Sequence, residues 1–176
     1  MISFQDLNGY DVLLSFEQGS FAIPSEHVLV LAKYKGKWLV TKHPKRGLEF
    51  PGGKLEQGET LVEAAIRETK EETNVDIVEL AWLAEYMVID NIPFCKTVYV
   101  AEVGYINKEK TNFETEGAFW LSSEELTQSN YLSFHMKDDG MKGKKRRRQI
   151  RPGCPETCDG ARRPKSRPRS GRPLPG

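Results

Sequence analysis

The sequence has 176 residues, enough for one domain with a sizeable core and too few for two ordinary ones. Its formal net charge of +1 conceals a division: residues 1–141 hold 13 basic against 23 acidic side chains, a balance of −10, and residues 142–176 hold 13 against 2, a balance of +11. A −10 domain argues against a duplex DNA partner, three cysteines exclude a disulfide framework, and no stretch approaches the roughly 20 apolar residues of a membrane span.

In chain order, the first clear signal is "EHVLVLAKYKGKWLVTKHP". It predicts a β-hairpin of residues 27–34 and 37–43 joined across Lys35 and Gly36, the glycine supplying the positive φ of a tight turn. A glycine-rich turn, "FPGGKLEQGE", follows. "TLVEAAIRETKEET" predicts a helix over residues 60–73: Thr60 with Glu63 three residues on is a capping box, and Leu61, Ala64, Ala65 and Ile66 supply an apolar side. Asn74 tolerates the left-handed conformation that ends many helices. Two β-rich runs come next, about residues 77–88 with a break and 94–103, and then "GAFWL" at 117–121. "SSEEL" at 122–126 reads as a helix start, with Ser122 or Ser123 as cap and acids in the first turn. This order has no βαβ regularity and no internal repeat, and predicts an α/β sandwich around a mixed sheet.

Residues 142–176 offer only Ile150 and Leu174 as large apolar side chains. Such a segment cannot bury enough surface to offset its ordering entropy and is expected to be a disordered, basic, Pro/Arg-rich tail outside a domain of residues 1–140. A solvated extension is the default reading and a basic nucleic-acid-binding arm the functional one. Cys154 and Cys158 form a C-x3-C pair with no second pair and no nearby histidine, which does not make a zinc site. No N-terminal apolar run precedes a cleavage-like site, so the expected compartment is the cytoplasm.

The chemistry gathers on the predicted helix. Glu68 lies three and four residues from Glu71 and Glu72, so three like charges share one helical face and repel. An isolated E-x-x-E-E is most often a solvated acidic face. Here, however, it follows Gly52 and Gly53, which permit close backbone approach and let a carbonyl point into the same space. Clustered carboxylates are tolerated when a hard divalent cation sits among them, because Mg²⁺ takes oxygen ligands and completes its shell with water and substrate phosphates.

In full, "GKLEQGETLVEAAIRETKEETNV" places Gly53, Glu59, Arg67, Glu68, Glu71 and Glu72 at fixed intervals. This resembles the Nudix box, G-x5-E-x7-R-E-U-x-E-E-x-G-U with U aliphatic; Thr69 stands at the aliphatic position and Asn74 at the final glycine. Thr keeps a branched, partly apolar side chain and Asn is a good non-glycine residue for a left-handed cap, so both departures are physically compatible. "RGLEFPGGK", "FET" at 113–115 and "LSFHMKD" at 132–138 are similar to stretches of the short MutT-like members of that family in Gram-positive bacilli.

The resemblance implies a Nudix-type α/β/α sandwich around a mixed β-sheet. It implies a Mg²⁺-dependent (or Mn²⁺-dependent) pyrophosphohydrolase with Glu68, Glu71, Glu72 and the Gly53 carbonyl as metal ligands, and with Arg67 and Glu59 paired to hold the loop against the helix. Its substrate would be a nucleotide of the 8-oxo-dGTP or dGTP type, or alternatively an RNA 5′-triphosphate end. A general base is also needed, for which Glu114 is the candidate, with Glu116 behind it. Lys42 and Arg46 are candidates to meet phosphates, and Phe50, with Phe94 and Trp120, to stack on a base, although solvated charge and core packing are the bland alternatives. A non-catalytic module of the same fold is the remaining class; it would have no reason to keep the repelling carboxylates.

Overall fold

The structure, a computed structural model, describes residues 1–106, 115–132 and 136. The expected basic tail of residues 141–176 and its Cys154/Cys158 pair lie outside the described residues. The described elements are β1 (Ile2–Gln5), β2 (Asp11–Ser15), β3 (Ser25–Tyr34), β4 (Lys37–His43), β5 (Gly47–Glu49), α1 (Leu61–Thr73), β6 (Val75–Ile89), β7 (Phe94–Ile106), β8 (Ala118–Leu121) and α2 (Ser123–Gln128).

The strands form one mixed sheet in the order β1-β2-β6-β7-β3-β4-β5, with β8 on β4. Its parallel pair is β3 with β7; the other described pairings are antiparallel. The β3–β4 hairpin turns at Lys35 (φ 48°) and Gly36 (φ 78°), the double positive φ that matches strand twist. Beyond the turn β3 and β4 separate, and β5 takes over the edge of β4 that faces away from β8. The chain then returns along β3: Val30 N–H donates to the Pro51 carbonyl (2.8 Å), Val28 N–H to the Gly53 carbonyl (2.9 Å) and Leu55 N–H to the Glu26 carbonyl (2.9 Å). This laces the glycine turn to the middle of the sheet.

Alternation along β3 sends Val28, Val30 and Ala32 to a core shared with Ala64, Ala65 and Val75, under α1. Leu29 and Leu31 go to the other face, where Val40, Leu48 and Phe50 gather a second core that Leu126 of α2 also packs against. Helices therefore cover both faces, in the α/β/α arrangement expected.

Helix α1 begins where the sequence places it, with Thr60 as cap and the box completed by Glu63. It ends at Asn74, in the left-handed conformation at φ 57° and ψ 33°. The expected break in residues 77–88 is not a break: β6 runs unbroken from Val75 to Ile89 and absorbs register shifts as bulges. β7 likewise continues to Ile106, and β1, β2 and β5 were not anticipated.

Candidate active site

The buried face of α1 is built from small residues, Ala64, Ala65, Thr69 and Thr73, which lets the helix lie close to the sheet. Thr69, where the family pattern wants an aliphatic side chain, is fully buried, and its hydroxyl donates back to the Ala65 carbonyl at 2.8 Å. Its polarity is satisfied within the helix and its methyl group faces the core. At the helix end, the Glu72 carbonyl accepts from the Thr41 hydroxyl (3.3 Å) and the Thr115 hydroxyl (2.6 Å). Those bonds satisfy a carbonyl that the helix itself leaves open and fix the position of its last acids.

The charged face answers the problem of the three glutamates. Arg67 Nε and Nη2 donate to the two oxygens of Glu59 at 2.8 and 2.9 Å, the bidentate geometry that guanidinium favours. Its Nη1 reaches Glu68 at 3.0 Å and Glu71 at 3.1 Å, and Nη2 also donates to the Lys54 carbonyl at 3.0 Å. One cation thus binds the loop glutamate, two helix glutamates and the backbone beside the glycine turn. Glu59 is held below the usual carboxylate range by this hydrogen bond, and Arg67 is raised above its ordinary value by Glu59 first. Glu72 turns inward and accepts from the Gly52 N–H at 3.2 Å. Burial pushes its carboxyl up to about 8, with Glu68 and Glu49 adding to the shift and the Gly52 N–H and Arg46 opposing it. Burial raises Glu68 as well, against the pull of Arg67.

The two glycines are needed for different reasons. A Cβ at Gly52 would overlap the Val28 carbonyl oxygen, and one at Gly53 would overlap the Glu68 carboxylate. The carboxylate of Glu68 therefore occupies the room that Gly53 leaves, which brings the Gly53 backbone, Glu68 and Glu72 into one neighbourhood. Among the described residues no three acidic, histidine or cysteine side chains converge as a preformed cation site; Arg67 and the Gly52 N–H hold the acids instead.

The other expected residues are placed as follows. Lys42 pairs with Glu116 at 2.6 Å, and Arg46 with Glu49 at 2.5 Å, a pair within electrostatic reach of Glu72. Phe50, expected to be open to a nucleobase, is only 6% exposed and meets Trp38 edge-on at 5.8 Å, so its ring belongs to the second core. Trp120 packs on Tyr34 at 5.6 Å, and Phe94 on His27 at 5.2 Å. Glu114 lies outside the described residues. His27 on β3 and Lys96 on β7 were not singled out in sequence, where nothing local connects them; the β3–β7 register makes them neighbours.

Comparison with known proteins matches a NUDIX domain to residues 23–140. The Bacillus subtilis (strain 168) protein YtkD, whose name carries a provisional assignment as an 8-oxo-dGTP diphosphatase, is 40% identical over 141 residues, 78% of this chain and 89% of that protein. The phosphatase NudJ of Escherichia coli (strain K12) is 30% identical over 115 residues, 62% of this chain and 75% of its own length. The crystal structure of the Bacillus subtilis pyrophosphohydrolase BsRppH superposes with a TM-score of 0.74 at 37% identity, covering 81% of this chain and 92% of that one.

Proposed function

The chain belongs to the Nudix family of hydrolases, and on that premise we propose that it hydrolyses a nucleoside triphosphate of the 8-oxo-dGTP or dGTP type to the monophosphate and pyrophosphate. The observation that carries this reading is the clamp around Arg67, which holds Glu59, Glu68 and Glu71 beside the glycine turn while the Gly52 N–H holds Glu72. The name of the 40%-identical YtkD supports the substrate class. We read the acidic helix face and the glycine turn as parts of a domain of residues 1–140 followed by a basic segment; the NUDIX match covers residues 23–140.

Nudix hydrolases generally use divalent metal ions, and the donor set fits one. Glu68, Glu71 and Glu72 are hard oxygen donors, and a buried Glu72 that resists ionisation on its own is what a bound cation would stabilise as the anion. Those three residues and the Gly53 carbonyl would hold Mg²⁺. When bound, the ion neutralises phosphate oxygens and lowers the pKa of an attacking water. The chain's own residues do the rest. Arg67 sets the side-chain positions of Glu68 and Glu71, and Glu59 in turn fixes Arg67. The Thr41 and Thr115 hydroxyls hold the C-terminal end of α1, so the acids stay in register with the glycine turn. Glu114, the residue before Thr115 in the sequence, is the proposed general base, and Glu116 is engaged by Lys42.

The second reading, pyrophosphate release from an RNA 5′-triphosphate end, is favoured by the 0.74 TM-score to the pyrophosphohydrolase BsRppH. A turnover assay with Mg²⁺ on 8-oxo-dGTP, dGTP and a short 5′-triphosphorylated RNA, with Glu71→Ala as control, separates the two. The first reading predicts that 8-oxo-dGTP or dGTP is turned over fastest; faster release from the RNA would establish the second. Equal rates for wild type and Glu71→Ala on all three would remove both.

A further inference from the structure

The sheet face turned away from α1 carries basic side chains that the glutamate site leaves unused. His27 shares its strand face with Leu29 and Leu31, which pack on the second core. It is the register partner of Lys96 on β7 and bridges Lys54, the residue that follows the glycine turn. Lys54, His27 and Lys96 therefore stand in one row that starts beside Gly53.

Among the described residues no carboxylate forms an ion pair with Lys96, whose Nζ lies 5.9 Å from the Phe94 ring centre and 6.0 Å from that of Tyr86. His27 Nδ1 is buried without a hydrogen-bond partner there. Burial lowers the pKa of both groups; Lys96 and Lys54 lower that of His27 further, against Glu26 and a backbone hydrogen bond at Cys95, and Glu49 opposes the shift of Lys96. A half-buried ammonium without an ion-pair partner costs stability that an anionic ligand would return.

The row is also next to the chemistry. Lys54 directly follows Gly53, and the Arg46–Glu49 pair is within electrostatic reach of both Lys96 and Glu72. We propose that Lys54, His27 and Lys96 form a subsite for the phosphate groups of the substrate's polyphosphate chain, with Lys96 as its principal cation. This deepens the pyrophosphohydrolase reading and rests on it for the identity of the substrate. Two charges and an imidazole suit the dense charge of a di- or triphosphate better than a single carboxylate.

The test uses the full chain as wild type, Lys96→Met, Lys96→Arg and His27→Gln, each checked for an unchanged thermal transition. Inorganic pyrophosphate is titrated calorimetrically in EDTA, and dGTP turnover is measured separately with Mg²⁺. Lys96→Met is expected to bind pyrophosphate about tenfold more weakly and to raise KM for dGTP about tenfold, with kcat within about threefold. Lys96→Arg should retain most of the binding, and His27→Gln should weaken it in the same sense, which keeps the proposal open to test should Lys96→Met not fold. Undetectable pyrophosphate binding by wild type, or equal binding by wild type and Lys96→Met, overturns the subsite. Binding that depends on Lys96 in a protein that turns over no nucleotide would uphold the subsite and remove the substrate reading. Turnover of dGTP with neither binding nor KM altered in Lys96→Met would do the reverse.

Discussion

Helices α1 and α2 open with the same device and put their acids to opposite ends. Thr60 with Glu63 and Ser122 with Glu125 form two complete capping boxes, each cap oxygen accepting from the backbone N–H three residues on and each glutamate reaching back. In α2 the acids Glu124 and Glu125 sit in the first turn, where the positive end of the helix dipole stabilises them. In α1, Glu71 and Glu72 sit in the last turn, where the dipole opposes them and Glu68 repels them. Folding alone accounts for the first arrangement. The second is unfavourable for the helix and is held by Arg67, by the Gly52 N–H and by two threonine hydroxyls, an arrangement that supports the proposal that those acids are there for chemistry.

The sharpest way to break this contrast is to remove one acid from each helix. Glu71→Gln should lower dGTP turnover roughly 10²–10³-fold, the loss of a few kcal/mol of transition-state stabilisation. Glu124→Gln, in α2, should leave turnover unchanged. A steady-state assay of both variants decides the matter, and comparable losses would show that the acids of α1 have no special role.

The two glycines sharpen the same distinction between scaffold and site. Gly52→Ala drives its methyl group into the Val28 carbonyl and should cost about 1–3 kcal/mol in denaturant unfolding, because backbone has to move. Gly53→Ala meets only the movable end of Glu68, so it should unfold close to wild type and yet lose about tenfold or more in kcat. A stability loss for Gly53→Ala as large as that for Gly52→Ala would contradict the placement of Glu68.

The caps should behave alike where the acids do not. Thr60→Ala and Ser122→Ala should each cost roughly 1 kcal/mol, read from the shift in urea midpoint at unchanged slope. The smallest expected effect is in pH. Glu63 and Glu125 are held below the usual carboxylate range by backbone bonds to Thr60 and Ser122. A carboxyl lowered on folding stabilises the fold above its unfolded pKa and loses that contribution as pH falls through the folded value. The melting temperature should therefore fall from about pH 5 to about pH 3, and less steeply in a Glu63→Gln, Glu125→Gln double variant. An unchanged slope would mean that the cap bonds do not persist in solution.

How much of this was legible in sequence depended on whether the cause was local. The α1 caps, the Asn74 terminus and the β3–β4 turn follow from residues a few positions apart, and their ends fell within a residue or two of those read. β1 and β2 are 4 and 5 residues long and show too little alternation to stand out, and their partners lie across the sheet. β5, with 3 residues, is too short to stand out just before the glycine-rich turn and exists because β3 leaves the edge of β4 free. In the site, the Arg67–Glu59 pair was readable from the motif. The same guanidinium binding Glu68 and Glu71 was not, because that depends on how the turn folds back on the helix. The burial of Phe50, which removes its ring from the surface, and the adjacency of His27 and Lys96 are consequences of strand register alone.

The most direct test of the central claim, that the acids of α1 serve bound ligand rather than the helix, is a thermal melt of wild type and Glu71→Gln in EDTA and again with Mg²⁺. The account predicts that in EDTA the variant melts at the same temperature as wild type or above it, since a last-turn acid has been neutralised, and that Mg²⁺ raises the melting temperature of wild type more than that of the variant. A variant that melts well below wild type in EDTA, with no difference in the response to Mg²⁺, would contradict it and make Glu71 a structural residue.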